Sequence, residues 1–171
     1  MTDRKLLPTS FVIACVAAMA CAPADEGGAS ADAAAGEAAD EMANPRFGVW
    51  QLESDRPPPY RNVMTYEPWG EGGMMITVAT TNDDGETSEW SYATLFDGEF
   101  RPVEGQEDAT TAVEVVDDRT NRILNARGGE VYQVIMNVLS EDGNTINNEY
   151  RRTAEDGTES VSYAVYHRII E

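Results

Sequence analysis

From position 46 onward, apolar and polar side chains alternate in short runs, which is the pattern of a β-strand with one buried face. No window of a dozen residues in this part of the chain carries the apolar stripe of an amphipathic helix. The domain is therefore predicted to be all-β. Ten strands are predicted, at residues 47–53, 62–67, 74–81, 88–96, 99–103, 110–117, 120–127, 130–139, 145–153 and 160–169.

Glycine-containing dipeptides separate these runs. Glycine supplies the positive φ that a tight hairpin turn requires. Three consecutive prolines, Pro57 to Pro59, favour an extended loop after the first strand. The clearest turn signals are Asp84-Gly85, Asp97-Gly98, Gly128-Gly129, Asp142-Gly143 and Asp156-Gly157.

A series of hairpins leaves two exposed sheet edges unless the first and last strands pair. The last predicted strand, 160–169, carries apolar groups on both faces, as expected of a strand that returns to the first. The pattern predicts an up-and-down antiparallel β-barrel of about 8–10 strands. A β-sandwich is the alternative.

Length and charge narrow the classes of protein. The chain has 171 residues, enough for one ordinary domain, and 42% of them are hydrophobic, so a packed core is expected. Its 31 acidic residues against 12 basic ones give a net charge of −19. This charge repels phosphate backbones, so no nucleic-acid partner is predicted. We expect a monomer.

The amino terminus is typical of a secretory signal peptide at residues 1–20. Arg4 and Lys5 precede a ten-residue apolar run, Phe11 to Ala20, which is too short to span a bilayer. Ala18-Met19-Ala20-Cys21 resembles the lipobox of bacterial lipoproteins, and this resemblance implies acylation of Cys21. The protein is then exported to the cell envelope, on the outer membrane or the periplasmic side, and contacts the membrane only through its anchor. A soluble secreted form is the alternative.

Residues 21–45 are predicted to be a flexible tether that joins the anchor to a barrel domain at 46–171. Residues 22–44 hold ten alanines, six carboxylates and no basic residue, so they bury too little apolar surface to fold. The barrel domain has no cysteine and a single histidine, His167. It must therefore be stable without disulfides.

Gly48-Val49-Trp50, followed by Leu52, resembles the Gly-x-Trp opening of the calycin barrels, which include lipocalins and fatty-acid-binding proteins. The resemblance implies that Trp50 closes the base of the barrel. It also implies that an arginine of a late strand packs across this tryptophan. Arg168 is the matching position, with Arg151 or Arg152 as substitutes.

The domain is also similar to bacterial exported proteins that have a lipocalin-like domain and no assigned activity. The matching segments are Pro58 to Tyr60, Thr65 to Glu67, Gly70 to Gly73, Trp90 to Tyr92, Phe96 to Gly98, Pro102 to Gly105, Ser140 to Gly143 and Val165 to Arg168. In fatty-acid-binding proteins a final Arg-x-Tyr pair holds the ligand carboxylate, and Ala164 and Tyr166 stand at those positions here. Without the arginine, carboxylate capture of that kind is not expected.

Titratable residues do not form a recognisable catalytic or metal-binding pattern. His167 has no cysteine or second histidine near it in the sequence, so it is interpreted as structural or solvent-facing. No metal, no cofactor and no catalytic residue are predicted. An enzyme without a cofactor, built around His167 or around Tyr66 and Glu67, is the least favoured alternative.

Methionines and aromatic residues on alternating strand positions are candidates to line a cavity for a small apolar or amphipathic ligand, the usual role of a barrel this size. Arg122 and Tyr166 are candidates for polar contacts at its mouth. The alternative is a filled barrel that acts as an envelope interaction protein through loops such as Asp55 to Asn62. The predicted ligand contacts are Met64, Tyr66, Met75, Trp90, Tyr92, Arg122, Tyr132, Met136 and Tyr166.

Overall fold

The computed structural model describes residues 44–154 and 156–169. The predicted signal peptide, Cys21 and the tether as far as residue 43 lie outside these residues. In the described part of the chain, no helix has the length and apolar character needed to cross a bilayer.

Ten antiparallel strands make up the domain, within one or two residues of the predicted bounds. They are β1 Gly48–Leu52, β2 Arg61–Trp69, β3 Gly73–Thr81, β4 Thr87–Thr94, β5 Arg101–Pro102, β6 Ala109–Asp117, β7 Thr120–Arg127, β8 Glu130–Leu139, β9 Thr145–Thr153 and β10 Glu159–Ile169. The glycine turns account for the spacing, since Gly85, Gly98, Gly128, Gly143 and Gly157 all have positive φ.

All ten strands form one sheet in the order β4-β3-β2-β1-β10-β9-β8-β7-β6-β5. The predicted return of the last strand is confirmed, because β10 pairs with β1 from Val49 opposite Ile169 to Leu52 opposite Tyr166. Every other neighbour in the sheet is a neighbour in the sequence. The fold is an up-and-down antiparallel barrel, and the sandwich alternative is wrong.

The barrel closes where the sheet ends meet, between β4 and β5. Ser91 and Glu104 exchange two backbone hydrogen bonds there, of 3.0 and 2.8 Å. We call this junction between β4 and β5 the seam. The strand predicted at 99–103 is only two residues long, because the chain turns at Phe96 (φ 61°) and Gly98 (φ 76°) before it reaches the seam. Pro102 also lacks the N–H that a longer ladder would need. The ring is thus nearly closed rather than fully bonded.

Gly105 lies at this seam, and we expect its substitution to weaken closure. It has a φ of 81°, and a Cβ there would be 2.6 Å from the Glu89 carbonyl oxygen. Gly105→Ala should lower the free energy of unfolding by about 2 to 3 kcal/mol, through backbone strain and the clash together. Gly128→Ala is the matched control, since its φ is 57° with nothing near the added methyl group. Gly128→Ala should lower the free energy of unfolding by about 1 kcal/mol, as measured by urea denaturation. If Gly105→Ala and Gly128→Ala lose the same stability, the predicted clash at Gly105 is wrong.

The two ends of the barrel differ. At what we call the closed end, Trp50 is fully buried, and the hairpin turns after β2, β6 and β8 lie at this end of the strands. The turns after β3, β7 and β9 form the opposite, open end. The core consists of inward-facing residues from alternate strand positions, such as Ile76, Val113 and Ile146. Between this core and the open end the interior is not filled.

Candidate ligand-binding site

A cavity of about 320 Å³ occupies the half of the barrel interior nearer the open end. This volume is at the lower end of the range for pockets that enclose small molecules. The walls come from β2, β3, β4, β6, β7, β8, β9 and β10, so the site exists only once the sheet has closed.

One side of the cavity is apolar. Met64, Ile76 and Val78 face it from β2 and β3, and each is at most 6% exposed. On β4, the rings of Trp90 and Tyr92 stack with centroids 6.1 Å apart and an interplanar angle of 12°. These side chains offer a flat aromatic surface and soft aliphatic contacts, which suit the apolar body of a ligand.

The opposite side, on β8 and β9, carries a chain of amide side chains. Arg46 Nε donates to Asn137 Oδ1 at 3.2 Å, and Asn137 Nδ2 donates to Asn148 Oδ1 at 2.8 Å. Asn148 Nδ2 then donates to the Tyr150 hydroxyl at 3.1 Å. Each side chain in this hydrogen-bonded series is therefore bonded to the next. We call Asn137, Asn148 and Tyr150 the amide wall.

Tyr166 on β10 extends this polar side toward β2. Its hydroxyl donates to Asn62 Oδ1 at 3.0 Å, and Asn62 Nδ2 donates to Thr80 at 2.7 Å. Burial raises the pKa of Tyr166, with a smaller contribution from Tyr150. The phenol stays neutral over the physiological range and is available only as a hydrogen-bonding group.

Burial also raises the pKa of Tyr66 and of Tyr92, which line the floor and the aromatic side of the cavity. Arg46 opposes the shift at Tyr66 but does not cancel it. Desolvation is the common cause, since a phenolate in an apolar interior loses its hydration. The phenols of Tyr66, Tyr92 and Tyr166 are therefore neutral near pH 7.

A β-bulge shapes the mouth. The pairing of β7 with β8 shifts after Asn125, which is opposite Gln133, so that Ala126 is opposite Val131. Tyr132 is the extra residue, and because of it both Tyr132 and Gln133 line the cavity although they are adjacent in sequence. Bulges of this kind reorient side chains at barrel rims.

Gln133 connects the bulge to an arginine. The Asn125 amide lies 2.9 Å from both Thr111 Oγ1 and the Gln133 amide, and it is assigned with its nitrogen toward Thr111 and its oxygen accepting from the Gln133 nitrogen. The amide of Gln133 is assigned with its oxygen toward Arg152, where it accepts from Nε at 2.6 Å and from Nη2 at 3.2 Å. Arg152 thus reaches into the mouth from β9.

The charges of the cavity contrast with those of the whole chain. Although the protein has 31 acidic residues, no carboxylate lines the cavity within the described residues. Arg152 is the one lining residue there that carries a formal charge. The interior thus offers aromatic, aliphatic and amide surfaces together with a single positive group.

Two arginines hold the closed end. The guanidinium carbon of Arg168 lies 4.2 Å from the centroid of the Trp50 ring, and its Nε and Nη1 donate to the carbonyls of Gly143 (2.9 Å) and Phe47 (2.6 Å). Arg46 is 3% exposed, and desolvation lowers its pKa. Its carbonyl accepts from Trp50 Nε1 at 2.9 Å. The resemblance assigned the position across Trp50 to Arg168, and Arg151 and Arg152 lie elsewhere.

Six of the nine predicted ligand contacts line the cavity. They are Met64, Tyr66, Trp90, Tyr92, Tyr132 and Tyr166. The structure places the other three, Met75, Arg122 and Met136, outside it. Strand alternation is the reason: Met75 stands between the inward-facing Met74 and Ile76, and Met136 stands between Ile135 and Asn137. Whether the six residues bind a ligand stays a prediction.

Arg122 differs most from its predicted place. It is exposed on the outside of the barrel, where its Nε donates to Glu114 Oε2 at 2.6 Å. It lies opposite Glu114 in the pairing of β6 with β7, so the ion pair is a cross-strand contact of the outer surface. Arg152 is the arginine found at the cavity mouth instead.

Sequence reasoning missed the polar half of the site, above all Asn137, Asn148, Gln133 and Arg152. A signal was present for two of them. Asn137 shares its strand face with Ile135 and Leu139, and Asn148 shares its face with Ile146 and Tyr150. An amide in the middle of an apolar face indicates a buried hydrogen bond.

His167 lies on the outer surface, where its Nε2 is 2.8 Å from Glu53 Oε2, and both side chains are more than half exposed. Tyr66 lines the cavity, but its neighbour Glu67 is exposed, so the two do not converge. Within the described residues, no cluster of three His, Cys, Asp or Glu side chains could hold a metal ion.

Comparison with known proteins gives a match in fold only. A scan against protein-family models finds no match, and no curated protein matches the chain. The wild-type fluorescent protein UnaG matches with a TM-score of 0.51 and 11% identity, covering 75% of this chain and 100% of UnaG. Fatty-acid-binding protein 1 of Echinococcus granulosus matches with a TM-score of 0.53 and 12% identity, covering 75% of this chain and 100% of that protein. The domain therefore shares its up-and-down β-barrel fold with these two proteins.

Proposed function

We propose that the protein is an exported, lipid-anchored carrier that binds one small amphipathic molecule in its barrel. The observation that supports this is the cavity of about 320 Å³, with an apolar side formed by Met64, Trp90 and Tyr92 and a polar side formed by the amide wall. Similarity of fold to a fatty-acid-binding protein is consistent with a small hydrophobic ligand but does not identify one.

Export and anchoring are part of this proposal. They are supported by the apolar run Phe11 to Ala20 and by the lipobox resemblance that ends at Cys21. In this arrangement the acyl chains hold the protein at a membrane, and the barrel exchanges its ligand with the surrounding envelope.

The same protein preparation tests both parts. The mature protein purified from its own membranes should carry acyl mass on Cys21 under denaturing mass spectrometry, whereas Cys21→Ala should be soluble and lack that mass. In native mass spectrometry the wild-type protein should also retain the mass of one bound small molecule, which is released when the protein unfolds. Val78→Phe, which adds volume at the cavity wall, should lose this retained mass but remain folded.

Met75→Phe is the matched control, because Met75 lies on the same strand but outside the cavity. It should retain the bound mass like the wild type. If both variants retain the mass equally, the ligand does not occupy the cavity. If the wild type carries no mass and takes up no amphipathic compound, the barrel is not a carrier and the interaction-protein alternative is favoured.

A further inference from the structure

The polar groups deep in the cavity are already bonded to one another. No side-chain nitrogen or oxygen that is buried in the described residues lacks a hydrogen-bond partner. Asn137 and Asn148 bond to each other, and Arg46 binds Asn137 and the backbone carbonyls of Arg119 and Asn137. A ligand head group placed at this depth would have to break these bonds, and each broken bond leaves a buried group unsatisfied.

The mouth is different, because it holds donors that remain free to bind. Arg152 is exposed at the open end, and its contact with Gln133 uses Nε and Nη2, which leaves guanidinium N–H groups toward solvent. Arg127 is a second arginine on this rim. It lies 5.9 Å from the centroid of the Tyr132 ring, and its Nη2 donates to Gln106 Oε1 at 3.3 Å. Tyr132 and Gln106 both line the cavity.

Neither rim arginine has a carboxylate partner among the described residues. Five other arginines form ion pairs with acidic side chains: Arg56, Arg101, Arg119, Arg122 and Arg151. In a chain of net charge −19, Arg152 and Arg127 place two positive charges at the mouth of a cavity, with neutral groups as their only partners among the described residues, and so form a local positive site. Such a site attracts an anion at short range, while the outer surface repels one.

Building on the proposed carrier function, we infer that the ligand is an anionic amphiphile bound with its acidic head at the mouth, on Arg152 and Arg127, and its apolar body directed inward. The body then lies along Met64, Trp90 and Tyr92, where apolar burial stabilises it. The head keeps one side in water, so its charge is only partly desolvated. Arg152 makes the direct contact, and Arg127 contributes from the rim.

Three probes of matched chain length separate head group from body: decanoate, 1-decanol and decylammonium. At pH 8 the carboxylate is ionised and the amine is protonated. Isothermal titration at 0.15 M salt should show decanoate binding about tenfold more tightly than decanol, since a hydrogen bond to a charged group is stronger than one to a neutral group. Decylammonium should bind more weakly than decanol at the cavity.

Arg152→Gln should reduce the affinity for decanoate about tenfold and leave that for decanol within about twofold. Arg127→Gln should cause a smaller loss of decanoate affinity. Arg122→Gln is the control, because Arg122 lies on the outer surface beside Glu114. It should change neither affinity.

The result that overturns this inference is an Arg152→Gln variant that binds decanoate as tightly as the wild type, or a wild type that prefers decanol. Either result leaves the carrier proposal in place, because the cavity would still bind an apolar chain. A wild type that binds none of the three probes, and in which the tryptophan fluorescence is unchanged, contradicts the carrier proposal itself.

Discussion

Replacing Trp50 by alanine is expected to lower the free energy of unfolding by about 3 to 5 kcal/mol, a large part of the stability of a small domain. Trp50 is fully buried at the closed end, and its indole lies 6.4 Å from the Tyr66 ring, centroid to centroid. Its removal leaves a void, exposes the Arg46 carbonyl that accepts from Nε1, and removes the ring over which Arg168 packs. Urea denaturation of the two proteins measures the difference.

Trp69→Ala is the control for this prediction. Trp69 has the same side chain but is 38% exposed at the end of β2, so its truncation should lower the free energy of unfolding by about 1 kcal/mol or less. Should the two variants lose equal stability, the closed end would not be organised around Trp50. The comparison is direct because both losses come from the same chemical change.

The domain is also expected to unfold in alkali, beginning near pH 10, with a loss of about 4 kcal/mol at pH 11. Tyr66, Tyr92 and Tyr166 all have their pKa raised by burial in the folded protein. Their pKa in the unfolded chain is about 10. Above that pH the unfolded state loses protons that the folded state keeps, so stability falls as pH rises. Each phenol contributes about 1.4 kcal/mol per pH unit.

The tyrosine origin of this loss is testable by substitution. The difference in unfolding free energy between pH 8 and pH 11 should shrink by about 1.4 kcal/mol in Tyr92→Phe. Tyr163 is 74% exposed, so its phenol meets water in both states and Tyr163→Phe should leave the difference unchanged. An alkaline loss that is the same in Tyr92→Phe as in the wild type would mean that other groups cause it.

The strand pattern was predictable because it depends on neighbours in the sequence. In an up-and-down barrel each strand pairs with the next one along the chain, so alternation and glycine turns are enough to place β6 to β9 within one residue. The return of β10 to β1 was predictable too, since apolar groups on both faces of the last strand required a partner. The seam was not, because Ser91 and Glu104 meet only through the closure of the whole ring.

The candidate site was only half predictable. Alternation puts every second residue inside, but it does not say which half of each strand lies beside a cavity and which half lies in the packed core. It also fails at the bulge, where Tyr132 and Gln133 are adjacent and yet both face the interior. Met75 and Met136 were predicted as ligand contacts because of their side-chain type, but the alternation of side chains along β3 and β8 places them on the outer face.

The sequence by itself determined an acidic all-β domain of ten strands and their order, because composition and local periodicity carry that information. Only the tertiary structure decided that a cavity of about 320 Å³ remains, that amides of β8 and β9 bond across it, and that Arg152 rather than Arg122 stands at its mouth. The physical reason is that volume, hydrogen-bond partners and the direction of a long side chain depend on strands distant in sequence, which meet only when the barrel closes.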